Sequence, residues 1–321
     1  MDRHRALGHN ARPTRRRTLL STAVASAVLV GGTAAGTVYM KAQAHDGPSP
    51  VSSSSASSSS SASPAVSEEA SVEPAAELPV DRDALLAKSM KSVTVEDGPD
   101  VSVAVLDAGS GESAVYGDGT FDTASIVKVD ILATLLLQAQ DADRQLTAQE
   151  KAYATAMIEN SDNTSASALW RAIGQADGLD SANKRFGLTG TDGGDGMLWG
   201  LTRTTAADQL ALLQQVFGED SELGESSRAY LQGLMGEIAV GQHWGVSVAA
   251  DSAQWALKNG WLPRSTTGLW VINSIGRVTV DGHDYLVATL SQGNSTKAKG
   301  ISLVEAAAQA AVAAFRDTAD D

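Results

Sequence analysis

Apolar and polar residues alternate over Val101-Ser102-Val103-Ala104-Val105, break across Gly109 to Glu112, and resume in Ser113-Ala114-Val115-Tyr116. A period of two on either side of a turn predicts an antiparallel hairpin. Just upstream, Leu85, Leu86 and Met90 fall at helical spacing, so a helix is expected over 81–92. Beyond the hairpin the period lengthens, and helices are predicted at about 125–139, 148–160, 164–173, 204–217 and 226–239. Strand patterns return near 254–260, 268–278 and 284–291, and a last helix is expected over about 301–316. Strands first, helices in the middle, strands and a helix last: this order predicts an α+β fold. In it an antiparallel β-sheet would recruit both chain ends. No internal repeat is visible.

The first eighty residues follow neither period. Arg12, Arg15, Arg16 and Arg17 precede an uncharged apolar run from Leu19 to Met40, and Ala42-Gln43-Ala44 follows with the small residues of a cleavage site. Residues 1–44 therefore look like a signal peptide or signal anchor. Arg16-Arg17 also suits the twin-arginine route beside the general secretory one. Either way an exported, extracellular or cell-envelope location is expected, with membrane contact only through this segment if it stays uncleaved. Residues 45–80 hold a serine tract with Pro, Ala and Glu around it. Too little apolar surface is present there to offset the entropy of ordering, so a disordered linker is expected. The remaining stretch, 81–321, is long enough for one well-buried core.

Charge and composition narrow the function. Residues 1–44 carry seven Lys/Arg against one acid, which leaves 17 Lys/Arg against 37 Asp/Glu in the rest. A surface that acidic repels phosphate backbones, so nucleic acid is not an expected partner. The absence of cysteine excludes disulfides, thiolate catalysis and zinc-cysteine sites. Beyond residue 80 only His243 and His283 occur, without metal-ligand spacing. No metal or organic cofactor is expected, and a Ser-His-Asp mechanism has little to build on. A monomer is expected.

What the domain does carry is hydroxyls and amines. Ser125-Ile126-Val127-Lys128 opens a long apolar helical pattern. There a serine feels the positive end of the helix dipole, and a lysine three residues on shares its face. Such a lysine becomes a base only if burial or a neighbouring cation lowers its pKa, and Lys258 is the expected cation. Ser161-Asp162-Asn163 falls between two predicted helices, in residue types that favour turns and caps. Lys258-Asn259-Gly260 lies on a predicted strand, where glycine lets another molecule approach the backbone. Ser181-Ala182-Asn183-Lys184 repeats the S-x-x-K spacing but heads no apolar helix, and is taken as background.

The ordered trio S-x-x-K, S-D-N and K-x-G resembles the signature of class A β-lactamases and penicillin-binding proteins. The resemblance extends over roughly residues 81 to 321 and implies an α+β fold, an antiparallel β-sheet with flanking helices plus a helical subdomain, with the site in the groove between them. It implies Ser125 as nucleophile, Lys128 as its base and Ser161 as proton carrier to the leaving nitrogen. It further implies that Asn163 binds the acylamino group of a substrate and that Lys258 and Asn259 hold its carboxylate. Gly260 lies on a strand that pairs with substrate, and the backbone N–H groups of Ser125 and Trp261 would form the oxyanion hole. Trp199, Trp244, Trp261 and Trp270 could line a cleft, but tryptophan is usually core, and none of their side chains is assigned to the site.

The implied substrate is a β-lactam or a D-Ala-D-Ala peptide. Two departures bear on the reaction. Class A enzymes carry a water-activating glutamate after S-D-N, but no glutamate occurs here between Glu159 and Glu219, and the corresponding stretch, 187–199, has only Asp192 and Asp195 as carboxylates. The interval from Ser125 to Ser161 is also short for the class. Acylation equipment thus looks complete and deacylation impaired. The expectation is a class A β-lactamase-like serine hydrolase. The alternatives are a D-Ala-D-Ala carboxypeptidase and a catalytically weak protein that binds cell wall or β-lactam.

Overall fold

The computed structural model describes residues 80–95 and 98–316. The expected signal segment over 1–44 and the linker over 45–80, Val80 excepted, lie outside the described residues. The chain opens with helix α1 (Arg82–Met90), capped by the Asp81 carboxylate on the Ala84 N–H, and the hairpin strands β1 (Asp100–Asp107) and β2 (Ser113–Tyr116). A two-residue strand β3 (Phe121–Asp122) then leads into a 3₁₀ turn at Ala124–Ile126, which runs straight into helix α2 (Val127–Asp141). Helices α3 (Ala148–Glu159), α4 (Asn163–Ala172) and α5 (Gln175–Phe186) follow, and after a long loop come strand β4 (Arg203–Thr204) and helices α6 (Ala206–Phe217) and α7 (Glu225–Gly236). Strands β5 (Trp255–Pro263), β6 (Trp270–Val280) and β7 (His283–Asn294) precede the last helix, α8 (Lys297–Arg316).

Five strands form one antiparallel sheet in the order β2-β1-β7-β6-β5. The two chain ends meet in its middle, with Val103 opposite Thr289. Alternation assigns the faces. Val103, Val105, Leu257 and Val287 pack with α1 and α8, whereas Ala104, Leu106, Ala256 and Ala288 pack with the helical lobe. Covered on both faces, β5, β6 and β7 bury side chains of both parities, polar ones included. Strand β5 is one edge of the sheet.

Helix α2 is the axle of the lobe. Every residue from Val127 to Leu137 is buried, so it is surrounded rather than amphipathic. Helix α3 begins with a reciprocal cap, Thr147 accepting from the Glu150 N–H and Glu150 from the Thr147 N–H. The expected α+β architecture is present, with most ends within a few residues of prediction.

Two features differ. Helix α5 was not expected, because Gly178, Asp177, Asp180 and Asn183 are poor helix formers. It is held by tertiary packing of Leu179, Ala182 and Phe186, which do recur at helical spacing. A Cβ on Gly178 would fall 1.7 Å from the Ile173 carbonyl oxygen, so only glycine permits this approach. The background motif Ser181–Lys184 lies on α5, with both Ser181 and Lys184 exposed. The paired strands β3 and β4 are two residues each, too short to leave a periodic trace, yet they join the turn before Ser125 to the end of the 187–202 loop.

Candidate active site

Ser125 sits in the 3₁₀ turn at the head of α2, partly exposed among buried neighbours. Ala124 before it has φ +48°, a left-handed conformation that a non-glycine residue holds only when its surroundings insist. What insists is a buried asparagine. Asn273, on β6, donates from Nδ2 to the carbonyls of Asp122 at 2.9 Å and Thr123 at 3.0 Å, while its Oδ1 accepts from the Ser291 N–H. The Asp122 carboxylate also binds Arg203, at 3.1 Å, and Arg264. The turn is thereby fastened from β4, from β6 and from the residue that follows β5.

Lys128 is fully buried one helical turn on, and its three donors are taken. Nζ donates to the Ser161 carbonyl at 2.7 Å, the Ser161 hydroxyl at 3.0 Å and Asn163 Oδ1 at 2.8 Å. The direct bond to the Ser125 hydroxyl that i, i+3 spacing permits is not formed. Burial brings Lys128 down to about 7, with the Asp162 charge opposing.

Ser161 lies in the turn between α3 and α4 with φ +56°. Asp162 caps α4 through the Ser165 N–H, at 2.6 Å, and so fixes the loop as its residue type suggests. Asn163 opens α4 and faces Lys128. From the sheet, Lys258 Nζ donates to the Ser161 hydroxyl at 3.2 Å and to the Asn259 carbonyl at 2.9 Å. One hydroxyl therefore stands between two amines. Lys258 is fully buried, and burial, then the nearby Lys128 charge, holds it well below the usual lysine value. This corrects the expectation that Lys258 is the cation acting on Lys128: burial lowers Lys128, and it is the Lys128 charge that acts on Lys258.

Strand parity separates the third motif. Lys258 and Gly260 share the lobe-facing side with Ala256, and Asn259 and Trp261 share the α8-facing side with Leu257. Gly260 abuts the Ser125 turn. Asn259 is fully buried, and its Nδ2 donates to the carbonyls of Gln242 at 2.8 Å and Trp244 at 2.9 Å. The expected carboxylate contact from the Asn259 side chain is therefore not available from the groove. The Trp261 ring lies near Trp244 and under Lys297, whose Nζ is 4.2 Å from its centroid, which leaves the backbone of Trp261 as its possible contribution.

Two residues of the site were not anticipated. Asn273 has a faint signal, a lone amide inside the apolar run Val271–Ile275. Trp199, of a residue type usually found in the core, is half-buried at the site, and Lys128 Nζ lies 5.0 Å from its ring centroid. Asp192 and Asp195, the carboxylates of the same loop, are exposed. Among the described residues no cluster of side chains suited to a metal ion occurs.

Comparison with known proteins gives one family. A model for the β-lactamase enzyme family matches residues 146–315, a stretch that takes in the second and third motifs and begins after the first. No curated protein matches the sequence. Among solved structures, PBP-A is similar with a TM-score of 0.63 at 20% identity, covering 73% of this chain and 96% of that one. A mutant of PBP-A, captured as an acyl-enzyme complex with penicillin G, superposes equally well at 18% identity, over 73% and 97% of the two chains. A class A β-lactamase from Bacteroides cellulosilyticus gives 0.61 at 15% identity, over 74% and 99%. At such identities the likeness is one of fold.

Proposed function

The chain belongs to the β-lactamase enzyme family, and from that premise we propose a serine hydrolase that opens β-lactam amides through an ester at Ser125. The observation that carries this is the Ser161 hydroxyl held between Lys128 and Lys258, at 3.0 and 3.2 Å, beside the Ser125 turn. Ser125 Oγ attacks the amide carbonyl and its proton passes to the neutral amine of Lys128. The carbonyl oxygen takes the negative charge, received by the backbone N–H groups of Ser125 and Trp261. The C–N bond then breaks, and the leaving nitrogen takes the Ser161 proton, which Lys128 replaces.

Lys258 acts from beneath the groove floor. A substrate carboxylate arriving above it favours its protonated form. The new ammonium in turn disfavours charge on Lys128, so binding primes the base. Asn163 is positioned to orient an acylamino group, and Asn259 holds the Gln242–Trp244 backbone rather than substrate.

A second reading, a D-Ala-D-Ala carboxypeptidase, is favoured by the exposure of both loop aspartates, which leaves the ester without a carboxylate to activate water. The same chemistry would then yield a long-lived adduct with penicillin. The N-terminal arginines and apolar run support work outside the cytoplasm, by either export route. Intact mass after benzylpenicillin addition tests the proposal: a one-equivalent adduct is expected on the natural chain and none on Ser125→Ala. Quick loss means a β-lactamase, persistence a peptidase. No adduct on the natural chain would sink both.

A further inference from the structure

The loop carrying Trp199 is closed at its neck by a reciprocal backbone pair, Asp192 N–H to the Arg203 carbonyl and Arg203 N–H to the Asp192 carbonyl, each 2.9 Å. Its course is pinned from three sides. The Gly193 N–H donates to Asp180 of α5 at 2.8 Å, Gly194 N–H to Thr202 Oγ1 at 3.1 Å, and Trp170 Nε1 of α4 to the Gly196 carbonyl at 2.7 Å. The loop ends in a 3₁₀ turn, Trp199–Leu201, seated on the Ser125 turn. There a Cβ on Gly200 would stand 3.9 Å from Ala124. Trp199 Nε1 donates to Ser167 Oγ of α4 at 3.1 Å, which fixes the indole and turns its face to Lys128. The indole itself is no base for water, since its N–H only donates and is already engaged.

We propose that Trp199 is a positioning residue that keeps water from Lys128 and from the ester at Ser125, prolonging the acyl-enzyme. The inference rests on the acyl-transfer function proposed above. Deacylation needs a water oxygen to attack the ester carbonyl, its proton going to a base and the C–O bond to Ser125 breaking. With the indole over Lys128, this amine is shielded from the water whose proton it would take.

Two measurements on the intact chain test this, using benzylpenicillin as acyl donor and Trp199→Ala and Trp199→Phe as variants. The first is adduct lifetime by mass spectrometry; the second is the titration of Lys128 in the ligand-free protein, followed by NMR of ¹³C-lysine. Trp199→Ala is expected to shorten the lifetime by about tenfold or more and, by hydrating the amine, to raise the Lys128 midpoint. Trp199→Phe, which keeps an aromatic face, is expected to hold both within about twofold of the natural chain. An unchanged lifetime in a Trp199→Ala chain that still acylates, or equal effects of alanine and phenylalanine, would overturn the inference alone. If the natural chain takes no adduct, the acyl-transfer function falls, and an unmoved Lys128 midpoint in Trp199→Ala would independently refute the shielding.

Discussion

Gly260 stands so close to Ser125 that a Cβ on it would lie 2.9 Å from the Ser125 amide nitrogen and 2.8 Å from the Thr123 carbonyl oxygen. These are backbone atoms, held by Asn273 and unable to swing aside. The smallest side chain therefore has to push β5 and the turn apart. Gly260→Ala is expected to fold, at a cost of about 1–3 kcal/mol from overpacking. Its acylation by benzylpenicillin should slow by about 10²–10³, the usual penalty for a misaligned oxyanion donor. Stopped-flow acylation within about threefold of the natural rate would contradict this account.

Lys128 sets the pH dependence. With its pKa brought down to about 7, the acylation rate should rise through a midpoint near 7 and level above it. Lys128→Arg should not acylate at any accessible pH, because guanidinium keeps its proton. Stability runs the same way. Between about 7 and the ordinary lysine value of 10.5 the unfolded chain binds a proton that the folded chain has released, so stability increases with pH across that window. Lys128→Met should reduce that slope in urea titrations at successive pH values, leaving the share of Lys258, which burial depresses in the same direction. An unaltered slope would assign it elsewhere.

Asp130 gives the opposite slope. It is buried in α2 beside Asn183 and Thr134, and burial pushes it up to about 8 against the hydrogen bonds they offer. Here the folded chain keeps a proton the unfolded chain loses, so stability falls as pH rises from about 4 to 8. Asp130→Asn, which stays neutral, should gain on the order of 1–3 kcal/mol at pH 8 and nothing at pH 4. Melting temperatures across that range would check it, and equal shifts at both ends would refute it.

Asn273 touches no substrate in the proposed mechanism, yet Asn273→Ala is expected to lower acylation. Two buried carbonyls would lose their donor, costing about 1–3 kcal/mol each at most. The released Ala124 strain should appear as a fall in kcat with little change in KM. A loss confined to stability would make Asn273 structural only.

The sheet and most helices were legible because burial on one or two faces writes a period into the chain. The first two motifs were legible for a different reason, that Ser125 and Lys128 share a helix face and Ser161–Asn163 occupy a cap. The third was read at the right place but with one side chain too many. A strand turns Asn259 away from Lys258, and a resemblance of letters carries no parity. Trp199 escaped because nothing in a single sequence tells a core indole from one leaning over an amine nearly a third of the domain away. Helix α5 escaped because its packing, not its composition, holds it.

The β1–β7 pairing has a consequence for how the molecule is made. Strand β1, made early, finds its central neighbour only when the chain has reached Tyr285 to Gln292. A contact of that sequence span is slow to close. Until it closes there is no sheet for β5 to border, and Gly260 has nothing to press against the turn. A nascent or truncated chain carries the nucleophile without its chemistry, so reactivity toward penicillin reports completed folding.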